Sequence, residues 1–143
     1  DPDLAVAAQE LALRVAGELD VRGAGAWHNG EPLHVASSSA ATYRTARRAW
    51  VGRELGDLGT LELTWACCGV DYPHLIAGDA AALVYTRSMP WDHLPGALIL
   101  AEAGGVIGRH DGAPLVPRDL AGGIIAAPDQ ATYDAVVGAL GAD

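Results

Sequence analysis

Lysine and phenylalanine do not occur in this chain of 143 residues, methionine occurs once and cysteine twice. Every basic side chain is therefore an arginine, and nine of them against 18 Asp and Glu leave a formal charge of -9. That balance excludes the basic footprint on which nucleic-acid binding depends, so nucleic acid is not an expected partner. It also sets a condition on anionic ligands. A phosphate ester would need local help against the field, from a metal ion, an arginine or a helix N-terminus. No apolar run is long enough to cross a bilayer, because Gly, Asp or Arg breaks the longest candidates, and no membrane partner is expected. Nor does the first stretch have the form of a signal peptide. The only cysteines, Cys67 and Cys68, are neighbours, and adjacent cysteines close too tight a ring for an ordinary structural bridge. They read as free thiols of a reducing, cytoplasmic compartment.

What is present is half apolar, enough for one ordinary core, and the expectation is a single domain or fragment over residues 1 to 143. Without Phe, that core is drawn from Leu, Val, Ile and Ala with four Trp and four Tyr. Leu4, Ala8, Leu11, Val15 and Leu19 recur at helical spacing, which predicts a helix within residues 1 to 20 of uncertain placement, capped by Asp3. Asn29-Gly30, between Trp27 and Leu33, predicts a hairpin. Ser37 to Ser39 read as a polar hinge or a helix start, and the stretch from Tyr43 through Trp50 to near Gly56 reads as a helix with Arg44, Arg47 and Arg48 on a solvated face. Beyond it the order is strand (Thr60 to Trp65), helix (Val70 to Ala77), strand (Ala81 to Thr86), helix (its mouth at Pro90 to His93, running through Ala97 to Ala103) and strand (from Val106). A strand from Gly123 to Ala127 and a helix from Asp129 to Leu140 complete it. That order predicts a layered α/β (α+β) domain.

The densest motif is Pro90-Trp91-Asp92, with Gly96 after it and Glu102-Ala103-Gly104-Gly105 closing the same helix. From the residues alone Asp92 has two readings, a cap at the helix mouth or a ligand for a hard cation. Glu102 reads as structural, pairing near the Gly-Gly turn. His93 and His110 lack the paired spacing of a zinc motif. Buried, inert thiols are the plain reading of Cys67 and Cys68, and packing that of Tyr85.

Pro-Trp-Asp-x-x-x-Gly followed by Glu-Ala-Gly-Gly resembles the C-terminal signature of the inositol monophosphatase family of magnesium-dependent, lithium-sensitive sugar phosphatases. Gly25-Ala26-Trp27-His28-Asn29-Gly30 resembles that family's hairpin. Asp71-Tyr72, Ala77-Gly78-Asp79-Ala80 and Ile124-Ile125-Ala126-Ala127 resemble its flanking helix and strands. The resemblance covers roughly residues 21 to 140. It implies the C-terminal half of that fold, a mixed sheet flanked by helices, and a phosphomonoesterase acting on a small sugar or inositol phosphate. It further implies Mg2+ as cofactor with Asp92 as a ligand, a homo-oligomer, and a helix start at Cys67, Cys68 and Gly69 whose amides face the substrate. Where the family often has a carboxylate contacting the substrate, this chain has Tyr85, and Tyr85 and Arg87 become candidate contacts to a sugar or phosphate. The family's upstream Glu and its Asp-Pro-x-Asp-Gly-Thr motif, which bring further metal ligands, have no counterpart here. The chain is thus expected to carry part of an active site. The alternative is a non-catalytic homologue kept for binding or assembly.

Overall fold

The computed structural model describes residues 23, 25–37, 42–116 and 122–141. The helix expected near the start lies outside them. The hairpin forms as the Asn-Gly pair dictates: β1 (Ala26–His28) and β2 (Glu31–Leu33) pair antiparallel, with Ala26 opposite Leu33. Asn29 and Gly30 both take positive φ, 51° and 83°, the pattern of a two-residue turn whose twist matches its strands.

A five-stranded sheet follows, in the order β4-β3-β5-β7-β6. Its members are β3 (Tyr43–Thr45), β4 (Leu61–Leu63), β5 (Ala82–Tyr85), β6 (Val106–Gly108) and β7 (Ile124–Ala127). Strand β3 lies between β4 and β5 and runs parallel to both, while β7 is antiparallel to β5 and to β6. Among the described residues, α1 (Cys68–Ile76) links β4 to β5, α2 (Pro90–Glu102) links β5 to β6, and α3 (Gln130–Leu140) follows β7.

Between Tyr43 and Gly56 the structure overturns the expected helix. Tyr43–Thr45 is a central strand, and only the short 3₁₀ turns Arg48–Trp50 and Gly56–Leu58 are helical in that region. Helical spacing there is overridden by two parallel partners, Leu61 and Ala82, which pair with Tyr43 from distant parts of the chain.

All four residues of β5 and all four of β7 are buried, as strands covered on both faces require. Leu83 and Tyr85, with Ile124 and Ala126, pack under α1 and α2 against Tyr72, Leu75, Ile99 and Leu100. Ala82 and Val84, with Ile125 and Ala127, face the other way and pack under α3 against Tyr133 and Val136. The sheet is thus the middle of three layers. Helices α1 and α2 touch closely at Gly96, where a Cβ would overlap the Tyr72 ring. Asp129 caps α3 by accepting the Thr132 N–H at 2.7 Å. Glu102, the last residue of α2, accepts the N–H groups of Gly23 and Gly25 at 2.9 and 2.8 Å, which fastens the start of the hairpin to the helix end. A carboxylate at that end is unfavourable to the helix dipole, and the two amide donors offset it. No helix among the described residues is long and apolar enough to cross a membrane.

Candidate functional site

Because β4, β3 and β5 run parallel, their carboxyl ends open on one edge of the sheet, the edge at which open α/β sheets bind ligands. The helices that follow β4 and β5 begin there too. A cleft of about 290 Å³ occupies the edge, lined by Ala46 and Arg48 after β3, by the turn after β4, by Tyr85 and Arg87 at the end of β5, and by Asp71, Asp92 and His93 from the helices.

The turn after β4 is the tightest part. Ala66 sits at φ 63°, a left-handed conformation that a non-glycine residue adopts only when its surroundings hold it there. Two bonds do so: the Ala66 N–H donates to Thr64 Oγ1 at 3.2 Å, and the Trp65 N–H donates to Asp71 Oδ1 at 3.0 Å. Asp71, only 1% exposed, reaches back from α1, and its other oxygen accepts the Tyr85 hydroxyl at 2.7 Å. Burial pushes the Asp71 carboxyl above its ordinary range, against the opposing pull of the Tyr85 and Trp65 hydrogen bonds. The Tyr85 phenol, buried beside that carboxylate, is pushed far up and stays un-ionised.

His93 completes the floor. Its Nδ1 shares a hydrogen bond with the Tyr72 hydroxyl at 3.1 Å, and its ring stands edge-on to Tyr85 at 4.4 Å between centroids. Burial draws its pKa down, and the neighbouring Asp92 only partly opposes this. Cys68 lies 3.8 Å from the imidazole, and burial, with Asp71 and Asp92 nearby, pushes its thiol up to about 12. Cys67 is exposed.

Of the residues singled out in the sequence, Cys67, Cys68, Tyr85, Arg87 and Asp92 line the cleft, whereas Gly69 stands in the first turn of α1 and is not among the lining residues. The capping alternative for Asp92 fails. Met89 is the N-cap of α2, without a side-chain capping bond, and Pro90 takes a position at the helix start. Asp92 is left in the first turn, exposed, its carboxylate without a hydrogen bond or ion pair among the described residues. It is a hard oxygen donor facing open space, which suits a divalent cation. Among the described residues no three His, Cys, Asp or Glu side chains converge as a ligand set, so a cation held by Asp92 draws its other ligands from elsewhere.

Sequence reasoning missed Asp71 and His93 as cleft residues and read Arg48 as solvated surface. For Arg48 the missing signal is the strand: had Tyr43–Thr45 been recognised as parallel, the residues after it would have been placed at the ligand edge.

No curated protein matches the sequence. Among solved structures, the fold is similar to that of an inositol monophosphatase from Zymomonas mobilis, with a TM-score of 0.68 at 22% identity, covering 84% of this chain and 51% of that one. It is equally similar to a Ca-bound IMPase family protein from Staphylococcus aureus, with a TM-score of 0.68 at 23% identity, covering 86% of this chain and 50% of that one. An IMPase/NADP phosphatase complexed with Mg2+ and phosphate gives 0.67 at 22% identity, over 86% and 49% of the two chains. The chain spans about half the length of these relatives. The sequence profile of one family matches residues 16–141, nearly the whole chain, and by that match the chain belongs to the inositol monophosphatase family.

Proposed function

We propose that this chain forms one wall of the active site of a magnesium-dependent phosphomonoesterase that hydrolyses a small phosphorylated substrate. The observation that carries this reading is the convergence on one cleft of three parallel strand ends, the N-termini of α1 and α2, and the unengaged carboxylate of Asp92. Asp92 would hold the cation together with ligands outside the described residues. When bound, Mg2+ supplies charge neutralisation at the phosphoryl oxygens and the leaving oxygen. The first amides of α1, at Cys68 and Gly69, have no helical acceptor and add partial positive charge on the same side. Tyr85 and Asp71 hold the turn that carries those amides, and the buried floor excludes water beneath the substrate. The family match and the fold shared with an IMPase/NADP phosphatase bound to Mg2+ and phosphate support the reading.

The test is phosphate release by the full-length protein with and without Mg2+. Asp92→Asn is expected to lower turnover on the order of 10²-fold while leaving the thermal transition in place. Undiminished turnover would remove Asp92 from the chemistry.

A second reading, a non-catalytic binding or assembly module, is favoured by the lack of a three-ligand cluster among the described residues. Self-association fits either reading, since Trp27, Met89 and Trp91 are exposed, Trp91 at 72%. Mg2+-dependent release of phosphate by the 143-residue chain itself would exclude the second reading. A monomer by sedimentation would exclude self-association.

A further inference from the structure

Trp65 is the last residue before the left-handed turn at Ala66, and α1 holds it twice. Asp71 and His74 stand three positions apart on that helix, hence on one face of it. Asp71 takes the Trp65 backbone N–H at 3.0 Å, and the His74 imidazole stacks on the Trp65 indole, 4.0 Å between centroids and 11° from parallel. The imidazole is itself tied down, its Nδ1 lying 2.7 Å from Asp79 Oδ2 just beyond the helix end. From the sheet, Arg44 of β3 brings its guanidinium over the same indole at 4.3 Å and donates to the Leu63 carbonyl at 2.8 Å. Helix layer, turn and sheet are thus clamped through one ring.

Stability alone does not favour this arrangement. Arg44 Nε is buried with no hydrogen-bond partner among the described residues, and Ala66 keeps φ 63° without glycine's freedom. Both costs fall beside the cleft. Arg44, Trp65 and His74 are not among its lining residues, whereas Thr64, Ala66, Cys67 and Cys68, on either side of Trp65 in the chain, are. Any influence of the clamp on a ligand therefore passes through the turn. The amides of Cys68 and Gly69 follow Ala66 directly, so the seat of the Trp65 ring sets the direction in which they leave the start of α1. Direction matters for them, because the partial charge of a helix N-terminus acts only close to its first turn.

We propose that Trp65 is a positioning residue for the phosphate site: clamped between Arg44 and His74, it fixes the angle at which the α1 amides meet a phosphoryl group. The inference rests on the phosphatase reading for turnover, but not for the binding of phosphate. Hydrogen-bond donors set in advance at the ligand cost no reorganisation when it arrives, which is what a rigid turn supplies and a loose one forfeits.

The test uses the full-length protein with Mg2+, and inorganic phosphate as the probe, read in two ways: as inhibition of p-nitrophenyl phosphate hydrolysis, and as the shift of the Cys68 and Gly69 amide resonances on titration. Trp65→Ala should weaken phosphate about fivefold or more by both readings, and Trp65→Phe, which keeps a flat ring, should recover most of that loss. Arg44→Met should weaken it in the same direction, and combining it with Trp65→Ala should add nothing, because both act through one ring. Val136→Ala, which thins the core under α3, is the control and should lower the thermal midpoint with phosphate affinity unchanged. Unchanged affinity in Trp65→Ala, losses that add in the double variant, or a loss that Val136→Ala reproduces overturns the proposal. If Trp65→Ala does not fold, Arg44→Met decides, and unchanged affinity there overturns it. Movement of the two amides without any turnover by the native protein keeps the proposal and overturns the phosphatase reading. Turnover without movement of those amides keeps the phosphatase reading and overturns the proposal, and the absence of both overturns both.

Discussion

Tyr85 donates its hydroxyl proton to Asp71 at 2.7 Å in a fully buried contact, and the same carboxylate holds the Trp65 amide at 3.0 Å. One side chain of β5 thereby governs, through α1, the left-handed turn that follows β4. Tyr85→Phe removes the strongest of the hydrogen bonds that restrain the Asp71 pKa, so that pKa rises further above its ordinary value. The sign follows: an acid whose folded pKa is raised loses stability as pH rises through it, and the variant deepens that loss. Tyr85→Phe should therefore cost about 1.5–3 kcal/mol at pH 7, the range for a hydrogen bond to a charged group, and less near pH 3.5 where the carboxyl is protonated. Urea unfolding at the two pH values reads the difference, and an equal cost at both would show that Asp71 is not ionised in the native fold.

Gly96 is where α1 and α2 come closest. Gly96→Ala places a methyl group inside the space of the Tyr72 ring, whose near edge belongs to the ring itself and has no flexible end to yield. The expected cost is about 1–3 kcal/mol by overpacking. Since the Tyr72 hydroxyl is bonded to His93 Nδ1, the His93 resonances should shift in the same variant. A thermal midpoint and histidine spectrum both unchanged would contradict this packing.

His93 and His110 are both drawn down in pKa by burial. A histidine whose folded pKa lies below its unfolded value of about 6.5 is protonated first in the unfolded chain, so its contribution is intact above that pH and is lost as pH falls through the folded pKa. Stability should decline from pH 7 toward pH 5, and His93→Gln should flatten part of that decline. A pH profile identical in slope for the variant would exclude His93 from it.

The two adjacent thiols should behave as opposites. Cys68 is held near 12 by burial and by the carboxylates around it, whereas Cys67 is exposed at the cleft wall. A thiol reagent at pH 8 should modify one equivalent rapidly, and Cys67→Ser should abolish that fast phase. Two equivalents reacting at one rate would mean that the α1 start opens in solution.

These contrasts also mark what local sequence can show. The hairpin is written in Asn29-Gly30, the end of α2 in Gly104-Gly105, and α1, β5, β7 and α3 in their apolar runs and punctuation, so the α/β order from Thr60 onward is legible. Tyr43–Thr45 is not, because nothing nearby in the chain records that Leu61 and Ala82 will flank it. The cleft shows the same divide. Asp92 announces itself beside Trp91, and Cys67, Cys68, Tyr85 and Arg87 stand out by resemblance. Asp71 and His93 look like ordinary helix residues until folding turns them toward Tyr85, and Arg48 looks like surface until its strand is known.

The reversal of direction at β7 separates two ends of the molecule. Since β7 runs against β5, the step from β7 into α3 at Pro128 and Asp129 falls on the edge away from the cleft, and no residue of α3 lines it. That junction is a handle: a label or a short insertion there can report on unfolding of the whole sheet while the ligand edge keeps its shape.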